Sequence, residues 1–360
     1  MNVGILSMQK VMNYGSFLQA FALKKTIEGW GHQCEFVDIE RGVIFPELKL
    51  TIFFFLKKAL ERYFKWNILT RICYTRIFQR RFREDFFRLL GVDIHCMQHF
   101  NAVVIGSDEV FNFAQRTPWG YTPQLYGKIT NADRVISYAG SFGHTTMKDI
   151  EHYELKDEIA NSMKTMQSIS VRDTNSFNIV KELTGKEPII NVDPVLMFDY
   201  SPYIKSVDKK NFIIIYTYPN RIKDKKEIAA IRAFAHKYNK KIISIGFYFP
   251  WCDETVIPDP FEVLGYLREA DFVITDTFHG TVMSLKFNKK FATLVRSTNV
   301  EKIMSLLSQF HLEKRSVDDI SELEETLLSS SDYDFVNNEL SKEKQRSYNY
   351  LKQHLTEEVK

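Results

Sequence analysis

The sequence predicts an α/β protein of two domains, each built on a parallel sheet covered by helices. Short apolar runs alternate along the chain with stretches of helical periodicity, as in parallel sheets covered by helices. A polar stretch at 199–210 divides this alternation into two series, and a chain of 360 residues suffices for about two domains. Hydrophobic residues make up 44% and charged residues 26%, which excludes a wholly disordered chain.

The first series opens with a strand at 3–7 and a helix at 17–28. Ser16 is a candidate N-cap for this helix, and Gly29 and Gly31 are typical of a helix end. Further strands are predicted at 34–39, 102–105, 135–138, 168–171 and 189–192. We therefore expect an N-terminal domain over residues 1–200.

The second series begins after the polar stretch. Its strands are predicted at 212–216, 241–245, 272–275 and 291–295. Its helices are predicted at 225–238 and 280–286. We expect a C-terminal domain over residues 211–336, followed by a polar helix at 337–360.

Charge and cysteine usage narrow the class of protein. Lys and Arg total 48 against 45 Asp and Glu, and a net charge of +3 gives no reason to expect nucleic acid as a partner. The four cysteines form no CxxC pair, which favours reduced thiols over a disulfide framework or a zinc site. No apolar run has the length of a signal peptide or the ~20 residues of a membrane span. These features predict a cytoplasmic protein.

Residues 49–90 interrupt the alternation with a basic and aromatic insert. Eleven Lys or Arg stand against three acidic residues, which gives the insert a net charge of +8. Phe78, Phe82 and Phe86 recur at helical spacing, with Leu89 on the same stripe. One interpretation is a basic amphipathic helix in peripheral contact with the inner face of a membrane. The other is a pair of helices whose apolar stripe packs on the protein core.

Two motifs place polar residues just after predicted strands of the first domain. Asn13 and Gly15 follow the first strand, at the edge where doubly wound sheets bind ligands. Gly15 permits close approach of the backbone and the helix start attracts anions, although a tight turn explains the same spacing. Ser107 and Asp108 follow the strand at 102–105 and can hold sugar hydroxyls, or Asp108 can cap the next segment.

Two further motifs supply a cation and a titratable side chain. Arg172 follows a predicted strand, and its planar guanidinium suits phosphate or carboxylate, with an ion pair to Asp173 or to another neighbour as the alternative. Asp276 and His279 follow the strand at 272–275. An imidazole can donate one hydrogen bond and accept a proton on its other nitrogen. His279 is therefore a candidate catalytic residue, with a structural histidine as the alternative.

The ordered set of motifs resembles the polysaccharide pyruvyl transferase family. The motifs are NYGSFLQA at 13–20, GSDEVFN at 106–112, SYAGSFG at 137–143, SVRD at 170–173, VDPVL at 192–196, DTFHG at 276–280 and SLL at 305–307. Each motif alone is weakly specific, whereas their order along the chain is specific. The resemblance covers nearly the whole chain.

The resemblance implies two Rossmann-like domains in a GT-B-like arrangement, with the active site in the cleft between them. It implies phosphoenolpyruvate as the donor. It also implies a saccharide acceptor, free or lipid-linked, that belongs to a growing surface polysaccharide. By this resemblance, Arg172 and His279 match positions that contact the donor, so we expect both to face one cleft.

One departure from the family pattern concerns Thr277. Many family members carry Arg at this position, two residues before the histidine, although a branch with Ser or Thr there is also familiar. By resemblance Thr277 and Gly280 are candidate substrate-binding residues. We expect a second cation from Arg296 or Arg315.

Transfer of pyruvate from phosphoenolpyruvate requires cations for the donor, an acid for its methylene carbon and a base for the acceptor hydroxyl. Arg172 suits the first requirement, and His279 can contact phosphate or transfer a proton. Asp108 or Asp276 can orient or deprotonate the hydroxyl. Because no carboxylate–histidine cluster calls for a metal, we expect neither a metal nor a cofactor.

Two rival functions stay open from the sequence. A GT-B glycosyltransferase using a nucleotide sugar shares the fold and differs in the donor. A non-catalytic protein would use the basic insert to bind a membrane surface or a partner. Phosphate release from phosphoenolpyruvate in the presence of glycans separates the three functions.

Overall fold

The computed structural model describes residues 1–45, 67–219 and 221–356, which divide into two units. The first unit contains the described residues 1–45, 87–198 and 340–356. The second unit contains the described residues 67–86, 199–219 and 221–339. Each unit is built on one six-stranded sheet, and the strand pairings in both sheets are parallel. The predicted fold class, two Rossmann-like α/β units, is confirmed.

The first sheet contains strands that are apolar along most of their length. Its strands are β1 (Asn2–Leu6), β2 (Gln33–Phe36), β3 (Ala102–Asp108), β4 (Val135–Gly140), β5 (Ser170–Val171) and β6 (Ile189–Ile190). Every residue of β3 and β4 is buried, as parallel strands covered on both faces require. The strand order is β2-β1-β3-β4-β5-β6. The chain therefore proceeds from β1 to β2 at one edge of the sheet, crosses back to β3, and then proceeds through β4 and β5 to β6 at the other edge. Its direction across the sheet reverses between the neighbouring strands β1 and β3.

Helices connect the strands of the first unit. They are Tyr14–Glu28, Phe87–Leu90, Met147–His152, Lys156–Lys164, Thr174–Thr184 and Pro194–Met197, with a 3₁₀ turn at Pro123–Tyr126. The last helix, Tyr333–Thr356, belongs to this unit from residue 340 onward. Its Tyr350 hydroxyl donates to the carbonyl of Ser137 (2.9 Å), which anchors the helix to β4.

The second sheet has the same construction with a different strand order. Its strands are β7 (Phe212–Tyr216), β8 (Lys241–Ile245), β9 (Glu254–Val256), β10 (Phe272–Thr275), β11 (Lys290–Leu294) and β12 (Ser316–Val317). The order is β12-β11-β10-β7-β8-β9, which corresponds to 3-2-1-4-5-6 when counted from β7. This is the order of dinucleotide-binding doubly wound sheets. The chain adds strands from β7 toward β9 at one edge and then from β10 toward β12 at the other edge. Its direction across the sheet therefore reverses between the neighbouring strands β7 and β10.

The helices of the second unit lie between these strands, before β7 and after β12. They are Ile68–Arg81, Lys225–Lys237, Pro260–Glu269, Phe278–Lys286, Val300–Gln309 and Leu323–Leu328. A π-helical turn spans Phe82–Phe86, and 3₁₀ turns span Glu313–Arg315 and Ile320–Glu322. Asp259 begins one of these helices with a capping box, because its carboxylate accepts the Glu262 N–H while the Glu262 carboxylate accepts the Asp259 N–H.

Several predicted boundaries differ from the structure. The first helix begins at Tyr14 and not after Ser16, because the Asn13 side chain accepts the Ser16 N–H (2.7 Å) and is the N-cap. The helix predicted at 280–286 begins at Phe278, capped by Thr277. The strands β9 and β12 were not predicted, since neither Glu254–Val256 nor Ser316–Val317 is a continuous apolar run.

The described part of the basic insert forms helices, and its aromatic stripe is buried. Phe78, Phe82 and Phe86 are at most 2% exposed and contact one another, with ring centroids 4.7–4.9 Å apart. Phe78 also packs on Phe247 of the second unit. The interpretation that this stripe docks on a membrane is therefore wrong, because its rings already have partners within the chain. Residues 49–66 of the insert lie outside the described residues.

No helix in the described part of the chain is long and apolar enough to cross a bilayer.

The buried stripe leads to a prediction about stability. Replacing Phe82 with Ala removes a fully buried ring, so the free energy of unfolding should fall by about 3–5 kcal/mol. Denaturant unfolding measures this change. Leu89→Ala is the control, since Leu89 is 53% exposed and should change stability little. Equal, small effects of the two substitutions would contradict the burial of the stripe.

Candidate active site

Polar side chains gather at the point of reversal in both sheets. In the first unit this point lies beyond the carboxyl ends of β1 and β3, and in the second it lies beyond those of β7 and β10. Ligands of open parallel sheets bind at such reversals, because the two flanking loops diverge there. Most of the candidate residues predicted from the sequence fall at these two places.

The first cluster begins at the N-terminus of helix Tyr14–Glu28. Asn13 Nδ2 donates to Ser16 Oγ (3.0 Å), and Ser16 Oγ donates to Asp108 Oδ2 (2.7 Å). Asp108 ends β3 with a φ of 78°, in the left-handed region that non-glycine residues rarely adopt. Such backbone strain is concentrated at functional sites. Gly15 lies buried in the first turn of the helix.

Arg172 connects the ends of three strands through a buried ion pair. Its Nη2 lies 3.0 Å from Asp108 Oδ1, and its Nη1 lies 2.8 Å from Asp193 Oδ2. Its side chain is 1% exposed. Burial alone would lower the pKa of Arg172, but Asp108 and Asp193 raise it, so the guanidinium stays charged. The structure thus places Arg172 in an internal ion-pair network, with Asp108 and Asp193 as its partners. Its contact with a donor stays a prediction.

Ser107 belongs to the same network as a structural hydroxyl. It is fully buried, its Oγ accepts the Asp108 N–H (2.6 Å), and the same hydroxyl lies 3.5 Å from Asp193 Oδ2. The sequence had assigned Ser107 to sugar hydroxyls, and burial instead gives it a role in holding Asp108. The side chain of Asp108 is 11% exposed, against 1% for Asp193. Of these two carboxylates, Asp108 is therefore the more accessible.

The second cluster is organised around Asp276, at the end of β10. Its Oδ1 accepts the Thr217 hydroxyl (2.5 Å), and its Oδ2 lies 3.5 Å from Arg296 Nε. Its backbone carbonyl accepts from Arg221 Nη1 (3.0 Å) and Asn299 Nδ2 (2.7 Å). Burial raises the pKa of Asp276, against the opposing effects of Thr217, Arg221 and Arg296. Asp276 is fully buried and contacts both arginines, one through its backbone carbonyl and one through its carboxylate. Its catalytic role stays a prediction.

The two arginines of this cluster differ in how their charge is balanced. Arg296 also forms a two-point ion pair with Glu227, at 2.5 and 3.1 Å. Arg221 is half-buried and lies over the Tyr218 ring, 5.0 Å from its centroid. Within the described ranges no carboxylate forms an ion pair with Arg221. Its positive charge is therefore the one best placed to attract an anion.

The start of helix Phe278–Lys286 completes the second cluster. Thr277 Oγ1 accepts the Gly280 N–H (2.9 Å), so this threonine is a helix cap. A Cβ on Gly280 would lie 2.0 Å from Thr275 Oγ1, so close packing of helix against strand explains this glycine. His279 lies in the first turn and is 4% exposed. Its helix N-terminus carries the partial positive charge that favours anions.

The two arginines that are candidates for the second cation have different surroundings in the structure. Arg296 lies in the cluster, as described above. Arg315 is 1% exposed and donates to the carbonyls of Thr326 and Ser329 and to the hydroxyl of Ser331. The prediction that Arg315 contacts substrate is therefore wrong, because its donors hold the chain around β12.

The clusters gather most of the predicted residues and add others. Asn13, Ser107, Asp108 and Arg172 meet in the first unit, and Asp276, Thr277, His279, Gly280 and Arg296 meet in the second. The contributions of Ser16, Asp193, Thr217 and Arg221 were missed. Arg221 was detectable from position, since it follows β7 as Asn13 follows β1. The expectation that Arg172 and His279 share one cleft stays a prediction.

No group of three or more His, Cys, Asp or Glu that could hold an ion occurs in the part of the chain that the structure describes.

A comparison with protein-family models identifies the class of protein. The model for polysaccharide pyruvyl transferase matches residues 13–298, which include both clusters. The chain therefore belongs to the polysaccharide pyruvyl transferase family, whose members are polysaccharide-modifying transferases. No curated protein sequence matches it.

Solved structures of similar chain length share little sequence identity with this protein. MnaA of S. aureus, solved with UDP, is 13% identical, with coverage of 99% of this chain and 98% of that chain and a TM-score of 0.48. The spinosyn rhamnosyltransferase SpnG, solved with thymidine diphosphate, is 11% identical, with coverage of 99% and 100% and a TM-score of 0.47. UDP-GlcNAc 2-epimerase from Neisseria meningitidis, bound to UDP-GlcNAc, is 12% identical, with coverage of 99% and 100% and a TM-score of 0.44. These similarities do not identify a function.

The position of Arg172 leads to a prediction that separates structure from substrate binding. Arg172→Met leaves two buried carboxylates without their cation, so the free energy of unfolding should fall by about 3–5 kcal/mol. Chemical denaturation measures this change, with the exposed Arg232→Met as the matched control. If Arg172→Met kept native stability and lost only donor saturation, the guanidinium would belong to the substrate site.

Proposed function

We propose that the protein transfers pyruvate from phosphoenolpyruvate onto a saccharide of a surface polysaccharide or its lipid-linked precursor, forming a cyclic ketal. Membership of the polysaccharide pyruvyl transferase family supports this proposal. The observation that carries it is the cluster of Arg221, Arg296 and His279 at the reversal of the second sheet. The proposal includes a cytoplasmic location.

Phosphoenolpyruvate carries a phosphate and a carboxylate, and both suit the second cluster. Arg221 offers a planar guanidinium that can bind either group through paired hydrogen bonds. Helix Phe278–Lys286 begins beside it, and helix N-termini attract anions. Arg296 adds a positive charge, which the carboxylates of Glu227 and Asp276 partly offset. We therefore assign the donor to the second unit, with Arg221 as its principal cation.

The acceptor suits the first cluster for the opposite reason. Asp108 and Asp193 outweigh the single charge of Arg172, so this cluster disfavours an anionic donor. A carboxylate can accept hydrogen bonds from sugar hydroxyls, and Asp108 is the more exposed of the pair. Asp108 is thus the proposed contact of the acceptor hydroxyl and the candidate base.

The proposed reaction balances without a cofactor. An acid protonates the methylene carbon of the donor, which becomes a methyl group, and the adjacent carbon becomes electrophilic. One sugar hydroxyl bonds to that carbon, the carbon–oxygen bond to phosphate breaks, and a second hydroxyl closes the ketal. The two hydroxyl protons are balanced by the new methyl C–H bond and by the released hydrogen phosphate. His279 is the candidate acid, since imidazole can transfer a proton near neutral pH.

The proposal predicts phosphate release that requires both phosphoenolpyruvate and an acceptor glycan. Pyruvate should become bound to the glycan and be recovered by mild acid hydrolysis. Arg221→Gln removes the cation assigned to the donor, so KM for phosphoenolpyruvate should rise by about 10- to 100-fold, the range of one charge-assisted hydrogen bond. The matched control is Arg232→Gln, on the exposed face of helix Lys225–Lys237.

Two outcomes would contradict this proposal in different ways. Consumption of a nucleotide sugar, without use of phosphoenolpyruvate, would identify a glycosyltransferase. Pyruvyl transfer with an unchanged KM in Arg221→Gln would keep the activity and remove Arg221 from the donor site.

His279 has a separate prediction. Asn keeps a hydrogen-bond donor but cannot transfer a proton, so turnover of His279→Asn should fall by about 10²-fold or more. Donor saturation and melting temperature should stay near those of the native protein. The exposed His236→Asn serves as the control. Near-native turnover of His279→Asn across the pH range would exclude proton transfer by this residue.

A further inference from the structure

The helix Ile68–Arg81 has two faces with different partners. On its inner face Tyr74 stacks on Tyr248 (5.4 Å between ring centroids), and Phe78 packs on Phe247. Arg81 on the same side donates to the carbonyl of Ile257. These contacts fix the helix to the second unit and determine which side chains point away from it.

The outer face carries apolar side chains that the described chain does not cover. We call this face the outer stripe, and its members are Leu69, Ile72, Cys73, Arg76, Ile77 and Arg80. Their spacing places them along one side of the helix, and together they line one surface groove. Leu69 is 79% exposed, Ile72 38% and Ile77 37%. Exposure of several large apolar side chains in one row marks an interaction surface.

The charge around the outer stripe is strongly positive. Residues 67–90 hold six arginines and no lysine, against Glu84 and Asp85. Arg76 and Arg80 stand within the stripe itself, and the nearest acidic contact of Arg80 is Glu84 at 3.8 Å on the exposed surface. A pair at this distance in water contributes little. The stripe therefore combines apolar anchors with arginine, which binds phosphate well.

We propose that the outer stripe docks on an anionic phospholipid surface. Leu69, Ile72 and Ile77 would enter the boundary between headgroups and acyl chains, about 5–10 Å deep. The stems of Arg76 and Arg80 would lie along the apolar surface while their guanidinium groups bind lipid phosphates. This contact is distinct from the buried Phe78–Phe82–Phe86 stripe and does not rest on the proposed function.

The positive charge of the outer stripe favours an anionic lipid surface over a second copy of the chain or residues 46–66 as the partner that covers it. A second copy of the chain would bring the same arginines against this surface. Residues 46–66 carry five basic and two acidic residues, so they also have the same sign. An anionic bilayer complements the charge and accepts the apolar side chains at the same time.

Flotation of the full-length protein with lipid vesicles tests the proposal. Binding to vesicles of phosphatidylcholine with phosphatidylglycerol should exceed binding to phosphatidylcholine alone and should weaken with salt. The pair Arg76→Gln and Arg80→Gln should weaken binding by roughly 25-fold, at about one fivefold step per arginine. The pair Leu69→Ser and Ile77→Ser should weaken it by at least as much. Leu328→Ser and Arg232→Gln, in exposed positions of the same unit, should leave binding unchanged.

Each contrary outcome overturns the proposal and identifies what replaces it. Binding that changes neither with the fraction of anionic lipid nor with the salt concentration would exclude an electrostatic contact. A loss of melting temperature in Leu69→Ser and Ile77→Ser comparable to that of Phe82→Ala would show that the chain itself covers the stripe. Conversion of a dimer to a monomer by the same pair would show that a second copy covers it.

Discussion

Parallel pairing is the constraint on which both clusters depend. When the strands of a sheet run in one direction, their carboxyl ends meet at one edge, and every loop that follows a strand starts there. Residues as distant in sequence as Asn13, Asp108 and Arg172 become neighbours for this reason. The second unit obeys the same constraint, because Thr217 and Arg221 follow β7 while Asp276 follows β10. The loops supply the polar side chains at these edges, whereas burial determines the apolar composition of the strands.

The two edges differ in their balance of charge. In the first unit one guanidinium is held between two carboxylates, which leaves an excess of one negative charge among these three groups. In the second unit the buried Asp276 aligns two arginines, only one of which is also paired with Glu227. Buried charges are tolerated when they are paired and hydrogen-bonded. This difference is the basis for the proposed assignment of the acceptor to the first arrangement and of the donor to the second.

The sequence predicted the sheets well and the use of single side chains less well. Runs such as Phe212–Tyr216 are recognisable because burial on both faces requires continuous apolar residues. The motif positions of Asp108 and His279 also followed from their place after strands. The partners of Arg172 did not, because an ion pair with Asp193 depends on strand neighbours that spacing does not reveal. The burial of Phe82 had the same origin, since periodicity identifies a stripe and not what covers it.

The path of the chain has a consequence for anyone who wishes to separate the two units. The chain changes unit between residues 45 and 67, and again at 86–87, 198–199 and 339–340. Neither unit is thus a continuous stretch of sequence. A fragment ending at residue 198 would lack the buried Leu351 and Leu355 and the Ser347 hydroxyl that accepts the Val192 N–H. Isolation of the first unit therefore requires two new linkers, one that replaces the second-unit segment ending at residue 86 and one from residue 198 to the last helix. A single proteolytic cut between the units would leave them covalently joined.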